Sequence, residues 1–283
     1  MDASSPRTFP VTGPVQLEVR SGSGTVTVHT GPAGVVTVVV SPADGSARSA
    51  EAADATLVRS VGDVVVVQVP RSTGFLGRDG AVDVTVTVPA GSALDVNSRS
   101  GDVRTSGELA RLSVSSGSGT VSVDRVTGRA RATTGSGDVT LGEVGSAQVR
   151  SGSGTVRVRA VDGPLEVGTG SGDVWAGPVG GDVVVQTGSG DVELRRTVAD
   201  VTVTTASGDV VVAAAASGQV ALKTASGDVG VTVPDGTAVL LDCWTVSGRL
   251  SSDLRAAGEP GPDEARLLLR ARTVSGDLVV RRG

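Results

Sequence analysis

The sequence predicts an all-β fold: a β-solenoid with coils of about 18 residues and irregular capping ends. Three observations carry that expectation. A Ser-Gly-Asp/Thr-Val motif recurs along most of the chain at a nearly constant spacing. Apolar residues return in step with it at strand periodicity. The composition is also lopsided, with 41 Gly and 55 Val among 283 residues against two Phe, two Trp, no Tyr and no Ile. A narrow stacked interior suits β-branched Val and excludes rings, whereas an ordinary sandwich core leans on aromatics.

Taken in chain order, residues 1–14 are expected to form an N-terminal tail or cap, and residues 15–283 a single solenoid domain. Within it, 15–95 reads as irregular wider coils, 96–230 as regular coils, and 231–283 as widened C-terminal coils with a cap. The first motif copy is Ser23-Gly24-Thr25-Val26. Pro42-Ala43-Asp44-Gly45 through Asp54 reads as a surface loop, and Val64-Val65-Val66-Val67 is a strand-sized apolar run. Val86-Thr87-Val88-Pro89-Ala90-Gly91-Ser92 is echoed much later by Val231-Thr232-Val233-Pro234-Asp235-Gly236-Thr237, and both stretches fall in the irregular ends.

The regular block starts at Ser100-Gly101-Asp102-Val103. Serines follow at 118, 136, 153, 171, 189, 207 and 226, then at 247 and 275 in the degenerate copies Ser247-Gly248-Arg249-Leu250 and Ser275-Gly276-Asp277-Leu278. Counted from each serine, Val or Leu recurs at offsets 3, 5, 8 or 9, 12 and 14. One unit gives Val156, Val158, Val161, Leu165 and Val167; another gives Val192, Leu194, Val198, Val201 and Val203; a third gives Val174, Ala176, Val179, Val183 and Val185. Offsets 3/5 and 12/14 alternate as strands do. A unit this small cannot bury a face alone, so successive coils must stack at about 4.8 Å. The Gly-Asp step absorbs a one-residue phase change, as a corner or bulge does. A second turn-rich stretch, Gly258-Glu259-Pro260-Gly261-Pro262-Asp263, reads as another loop.

Several functions are excluded by what is missing. One histidine (His29) and one cysteine (Cys243) cannot build a His/Cys zinc site, and any Ser-His-Asp triad would have to use His29. The lone lysine, Lys223, closes no phosphate-binding loop. A net charge of −5 with four aromatics argues against nucleic-acid binding. No run approaches the roughly 18 apolar residues of a membrane span, and Met1–Arg7 lacks a basic-then-apolar leader. The expectation is therefore a cytoplasmic protein with surface exposure left open, which a single cysteine also suits.

The phrase Val88-Pro89-Ala90-Gly91-Ser92-Ala93-Leu94-Asp95-Val96, then Ser98-Arg99-Ser100-Gly101-Asp102-Val103 and repeated Thr-Gly-Ser-Gly-Asp-Val, resembles the bacterial putative-adhesin family of β-strand-repeat proteins, a domain of unknown function. The resemblance spans roughly residues 15–283. It implies a right-handed β-helix-like fold and no established activity.

Among candidate sites, the offset-2 column (Asp102, Thr120, Asp138, Thr155, Asp173, Asp191, Asp209, Asp228) has two readings. Asp173, Asp191, Asp209 and Asp228 could form a Ca²⁺ ladder. Alternatively, Asp and Thr both accept backbone N–H groups at a turn, and their interchange fits this better. The hydroxyls Thr134, Ser136, Thr169, Ser171, Thr187, Ser189, Thr205 and Ser207 have no base to activate them. Cys243-Trp244 beside Leu240-Leu241 reads as filling a wider end of the core. Trp175, at an outward offset, could mark a contact surface. Arg129-Ala130-Arg131 and Arg195-Arg196 read as solvated faces. The carboxylates Glu166 and Glu193 fall on different offsets, unlike the paired acids of a carbohydrate-active enzyme.

The sequence thus predicts no catalytic residues, no cofactor and no resident metal. It predicts a non-enzymatic module presenting a flat β face to an unknown protein or cell-envelope partner, as a monomer or small homo-oligomer. The alternative is a self-assembling, bactofilin-like scaffold, since uncapped solenoid ends polymerise.

Overall fold

The computed structural model describes residues 6–70, 80–254 and 265–283. Strands make up most of the described residues, with one short helix among them, and the chain divides into two compact units, Met1–Val144 and Gly145–Gly283. The expected loop at 258–263, and Phe75, lie outside the described residues.

In the first unit, β1 (Arg7–Pro10), β2 (Gln16–Ser21), β3 (Thr25–Gly31) and β4 (Val35–Pro42) precede the helix α1 (Ala47–Asp54). Then come β5 (Leu57–Val61), β6 (Val64–Gln68), β7 (Val82–Pro89), β8 (Ala93–Ser98), β9 (Asp102–Leu109), β10 (Arg111–Ser116) and β11 (Val121–Thr134), and β12 (Val139–Ser151) runs across the unit boundary. Two strands and their corners make one rung, and rungs pair in parallel. Leu17 lies opposite Val65 on one side and Leu94 on the other; Leu94 lies opposite Leu112, and Leu112 opposite Ala130. Each position is therefore a column of like residues, buried throughout.

In the second unit the same pattern continues through β13 (Val156–Val161), β14 (Leu165–Thr169), β15 (Val174–Val179), β16 (Val183–Ser189), β17 (Val192–Thr197), β18 (Val201–Ser207), β19 (Val210–Val212), β20 (Gly218–Ser226) and β21 (Val229–Val233). It closes with β22 (Thr237–Ser247), β23 (Leu250–Ser252), β24 (Ala265–Ser275) and β25 (Leu278–Arg282). Leu165, Val183, Val201 and Val220 stack in one column, and Val174, Val192, Val210 and Val229 in another. One expectation at offset 9 fails: Val198 is exposed, and the column Val161–Val179–Thr197–Ala215 instead buries Thr197. The alternation is set by the pleat, so the inward position is offset 8 whichever neighbour is more apolar.

The order of rungs in space departs from the order in sequence once in each unit. In the first, β2 and β3 lie between β6/β7 and β8/β9, so the first coil is second in the stack. In the second, β24 and β25 lie between β20/β21 and β22/β23, so the last coil is again one from the end. The sequence echo marks both places. Val86–Ser92 carries the chain from β7 past the β2/β3 rung into β8, and Val231–Thr237 carries it from β21 past the β24/β25 rung into β22. Each turn holds a glycine in the left-handed region, Gly91 at φ 77° and Gly236 at φ 79°, after a proline that ends the strand. Ser92 is buried in its turn, accepting from the Val15 amide at 3.0 Å and donating to the Pro89 carbonyl at 2.7 Å. In the other turn Arg282, at the end of the bypassed rung, donates to the Pro234 and Thr237 carbonyls at 3.0 and 2.9 Å.

The two outermost rungs are finished differently. In the first unit, β5 pairs antiparallel with β6, β4 antiparallel with β7, and β1 antiparallel with β4. The segment expected as a surface loop is largely α1, which packs on β4 and β7. Ser46 caps the helix by accepting the Ser49 amide at 3.2 Å, and hydrogen bonds from Ser46 and Ser49 hold the Asp44 carboxyl below the usual carboxylate range. The alanines of Ala47–Asp54 favour the helix, an outcome the turn residues before it obscure. In the second unit, β22 pairs only with β24 and β23 only with β25 among the described residues.

Candidate functional site

The motif corner is built by three columns, of which the first two act between rungs and the third within one. The first is glycine. A Cβ on Gly119 would run into the Gly101 carbonyl, on Gly208 into that of Gly190, and on Gly276 into that of Gly227. Backbone passes backbone there too closely for any side chain.

The second column is the carboxylates. Asp191 donates its amide to Asp173 Oδ1 at 3.0 Å, Asp209 to Asp191 Oδ1 at 2.8 Å, and Asp228 to Asp209 Oδ1 at 2.8 Å. The series then jumps in sequence but not in space: Asp277 donates to Asp228 Oδ1 at 2.7 Å, and Arg249 to Asp277 Oδ1 at 2.8 Å. The same contact joins the Thr120 amide to Asp102 in the first unit, at 3.0 Å. One oxygen of each of these carboxylates is thus committed to a charge-assisted bond with the next rung, which offsets repulsion along the ladder. The column ends on Arg249, in the outermost rung, where a degenerate motif suffices. Among the described residues, no cluster of three or more His, Cys, Asp or Glu side chains is arranged to hold a metal.

The third column separates the hydroxyls into two sets. Ser98, Ser116, Thr134 and Ser151 are buried and accept the motif-glycine amide three residues on, at 2.8, 3.0, 2.9 and 2.9 Å. Thr169, Thr187 and Thr205 occupy the same buried position, and Thr205 donates to the Ser207 carbonyl at 3.1 Å. Ser136, Ser171, Ser189 and Ser207 are exposed.

The outer face of the second unit carries a different kind of cluster. Arg157, Trp175 and Glu193 lie opposite one another on β13, β15 and β17. Arg195 places its guanidinium 5.7 Å from the centre of the Trp175 ring and pairs with Glu193 at 3.6 Å. A shallow cavity of about 410 Å³ opens here, lined among others by Thr155, Asp173 and Asp191. It brings together an amphipathic ring, a cation and several carboxylates on rigid strands. The offset count placed Trp175 outward, and the same count puts Arg157 and Glu193 in its column. Arg195, two residues beyond Glu193 on β17, reaches the ring from the diagonal position, which spacing alone does not show.

A family model, Toastrack DUF4097, matches residues 16–177 and again 180–281. The chain belongs to the Toastrack DUF4097 family. Solved structures similar to it include one described as a putative adhesin from Bacteroides fragilis, 12% identical, covering 99% of this chain and 96% of its own, at a TM-score of 0.36. Another, also described as a putative adhesin, comes from Parabacteroides distasonis, with 12% identity, 99% and 96% coverage and a TM-score of 0.36. A third, from the same species, is described as a putative lipid binding protein, with 11% identity, 99% and 96% coverage and a TM-score of 0.33. At identities and scores this low, none of these descriptions transfers to the chain. No curated protein matches the chain significantly.

The remaining candidates in this Toastrack chain fall outside the cluster. His29 is exposed on β3, and its Nδ1 lies 2.7 Å from Ser106 Oγ on β9, a cross-strand pair with no carboxylate orienting the ring among the described residues. Glu166 takes a hydrogen bond from Gln148 at 2.8 Å and pairs with Arg150 at 3.6 Å, on exposed strand surface. Arg129 and Arg131 line a groove on the first unit with Arg111, Asp95 and Gln16. No helix of the described residues is long and apolar enough to cross a membrane. The expectation for Cys243-Trp244 is overturned. Trp244, Leu240 and Leu241 are exposed and Cys243 is half-buried, because β22 is the outermost rung and nothing described lies beyond it. Partial burial still pushes the Cys243 thiol up.

Proposed function

We propose that this Toastrack chain is a non-catalytic interaction module that presents the outer face of its second-unit coils to a protein or cell-envelope partner. The observation that carries the proposal is the Trp175 cluster, where a ring flanked by Arg157, Arg195 and Glu193 borders a shallow cavity. Binding surfaces use such residues because Trp and Arg bring large contact area together with directed polar groups. Several motif residues that could have done chemistry are occupied instead: Asp191 and Asp209 accept the amide of the next rung, and Ser98, Ser116, Thr134 and Ser151 hold the corner. A rigid stacked scaffold keeps the cluster in place at little entropic cost on binding.

The test is retention of the chain on isolated peptidoglycan sacculi and on immobilised envelope proteins. Replacing Trp175→Ala together with Arg157→Ala should lower retention at least about tenfold on one of these while leaving the melting temperature nearly unchanged. Equal retention of the double variant on every matrix, or no retention of the parent chain, would contradict the proposal.

A further inference from the structure

We propose that two copies of this chain pair edge to edge through β22, each closing the other's open outermost rung. The argument starts from the contrast between two rung ends built by one sequence. On the covered rung of the first unit, Val65, Val67, Val84 and Val86 are 0% exposed. On β22 and β23, Leu241 and Leu250 continue buried core columns yet are 38% and 54% exposed. Leu240, Trp244 and Val246, on the outer face of β22, are 68%, 57% and 60% exposed. A patch of this kind marks an interface.

The backbone points the same way. β22 runs for 11 residues with one edge unpaired among the described residues. Natural edge strands are normally blunted by lysine, proline, a bulge or brevity, and Thr237–Ser247 has none of these. Its one charge, Asp242, is already paired with Arg270 at 3.6 Å and Arg272 at 3.8 Å on the neighbouring strand.

The chain itself shows what fits such an end. In the first unit the outermost rung is covered by antiparallel strands, β5 on β6 and β4 on β7. A two-fold axis through the middle of β22 supplies the same arrangement, since it pairs a strand antiparallel with its own copy. Register is set by two constraints. Inward residues must face inward residues, or the core side of one copy would meet the solvent side of the other. Centring the axis on Asp242 would set two like charges face to face, which is unfavourable. An axis at Leu241 would set Leu240 against Asp242, so the axis falls at Cys243, with Leu240 opposite Val246 and Asp242 opposite Trp244. The pairing is closed, because a two-fold contact uses the β22 edge of both copies at once.

Sedimentation equilibrium of the full chain tests this, read beside mild oxidation, because Cys243 is the only cysteine. The expected result is a reversible dimer that oxidation locks through Cys243. Leu240→Lys, and independently Val246→Lys, should weaken it about 100-fold, since each sets a lysine into the apolar contact. Both positions face solvent, so the melting profile of the separated chain should stay intact. A chain that stays monomeric at high micromolar concentration would overturn the proposal. So would a dimer indifferent to both lysines, or assembly into filaments.

Discussion

At the scale of single residues, the glycine of the motif is explained by the distance between backbones. Gly208 sits at φ 142° with the Gly190 carbonyl where its Cβ would be. Gly168, on β14, has nothing within 4 Å of its Cβ position. Gly208→Ala should therefore cost at least about 2 kcal/mol, from strain and steric overlap together, while Gly168→Ala should be neutral or stabilise by about 0.5 kcal/mol. Urea melts of the two variants check this, and equal effects would refute the close-packed corner. The Asp/Thr interchange was visible in the sequence, and so was the possibility that these residues serve a turn. What spacing could not show is that the accepted amide belongs to the next rung, as with Asp228 on Asp209. That contact exists only after the chain has closed a coil, 19 positions on.

At the scale of elements, period-2 alternation located the strands of the regular block and their inward columns, because a narrow coil leaves few ways to bury Val. It misassigned Val198, where two adjacent residues compete and the pleat chooses Thr197. It took Ala47–Asp54 for a loop, because turn residues surround a short helix whose stability comes from its cap and from packing on β4 and β7. The columns predict a graded response to truncation. Leu194 is fully buried in β17, whereas Leu250 ends its column on β23. Leu194→Ala should cost about 3 kcal/mol in the separated chain and Leu250→Ala less than about 1 kcal/mol. Similar losses at both positions would contradict an open rung.

At the scale of the whole molecule, the repeat count alone suggests coils laid down in chain order, and the spacings of 21 and 28 after Ser226 read only as widening. The structure gives those spacings a cause: β22 and β23 step past a place that β24 and β25 later fill. The echo of Val86–Ser92 in Val231–Thr237 carried that information, but nothing local says which rung such a turn bypasses. The Trp175 cluster and the β22 edge both depend on this stacking, one for its column and the other for its exposure. Hydrogen exchange read by mass spectrometry, at a dilution where copies are separate, tests the order most directly. Amides of Ala265–Ser275 should exchange slowly, and so should those of Val201–Ser207, because both strands are flanked on both sides. Amides of Thr237–Ser247, earlier in the sequence, should exchange much faster. Faster exchange in Ala265–Ser275 than in Thr237–Ser247 would contradict the account.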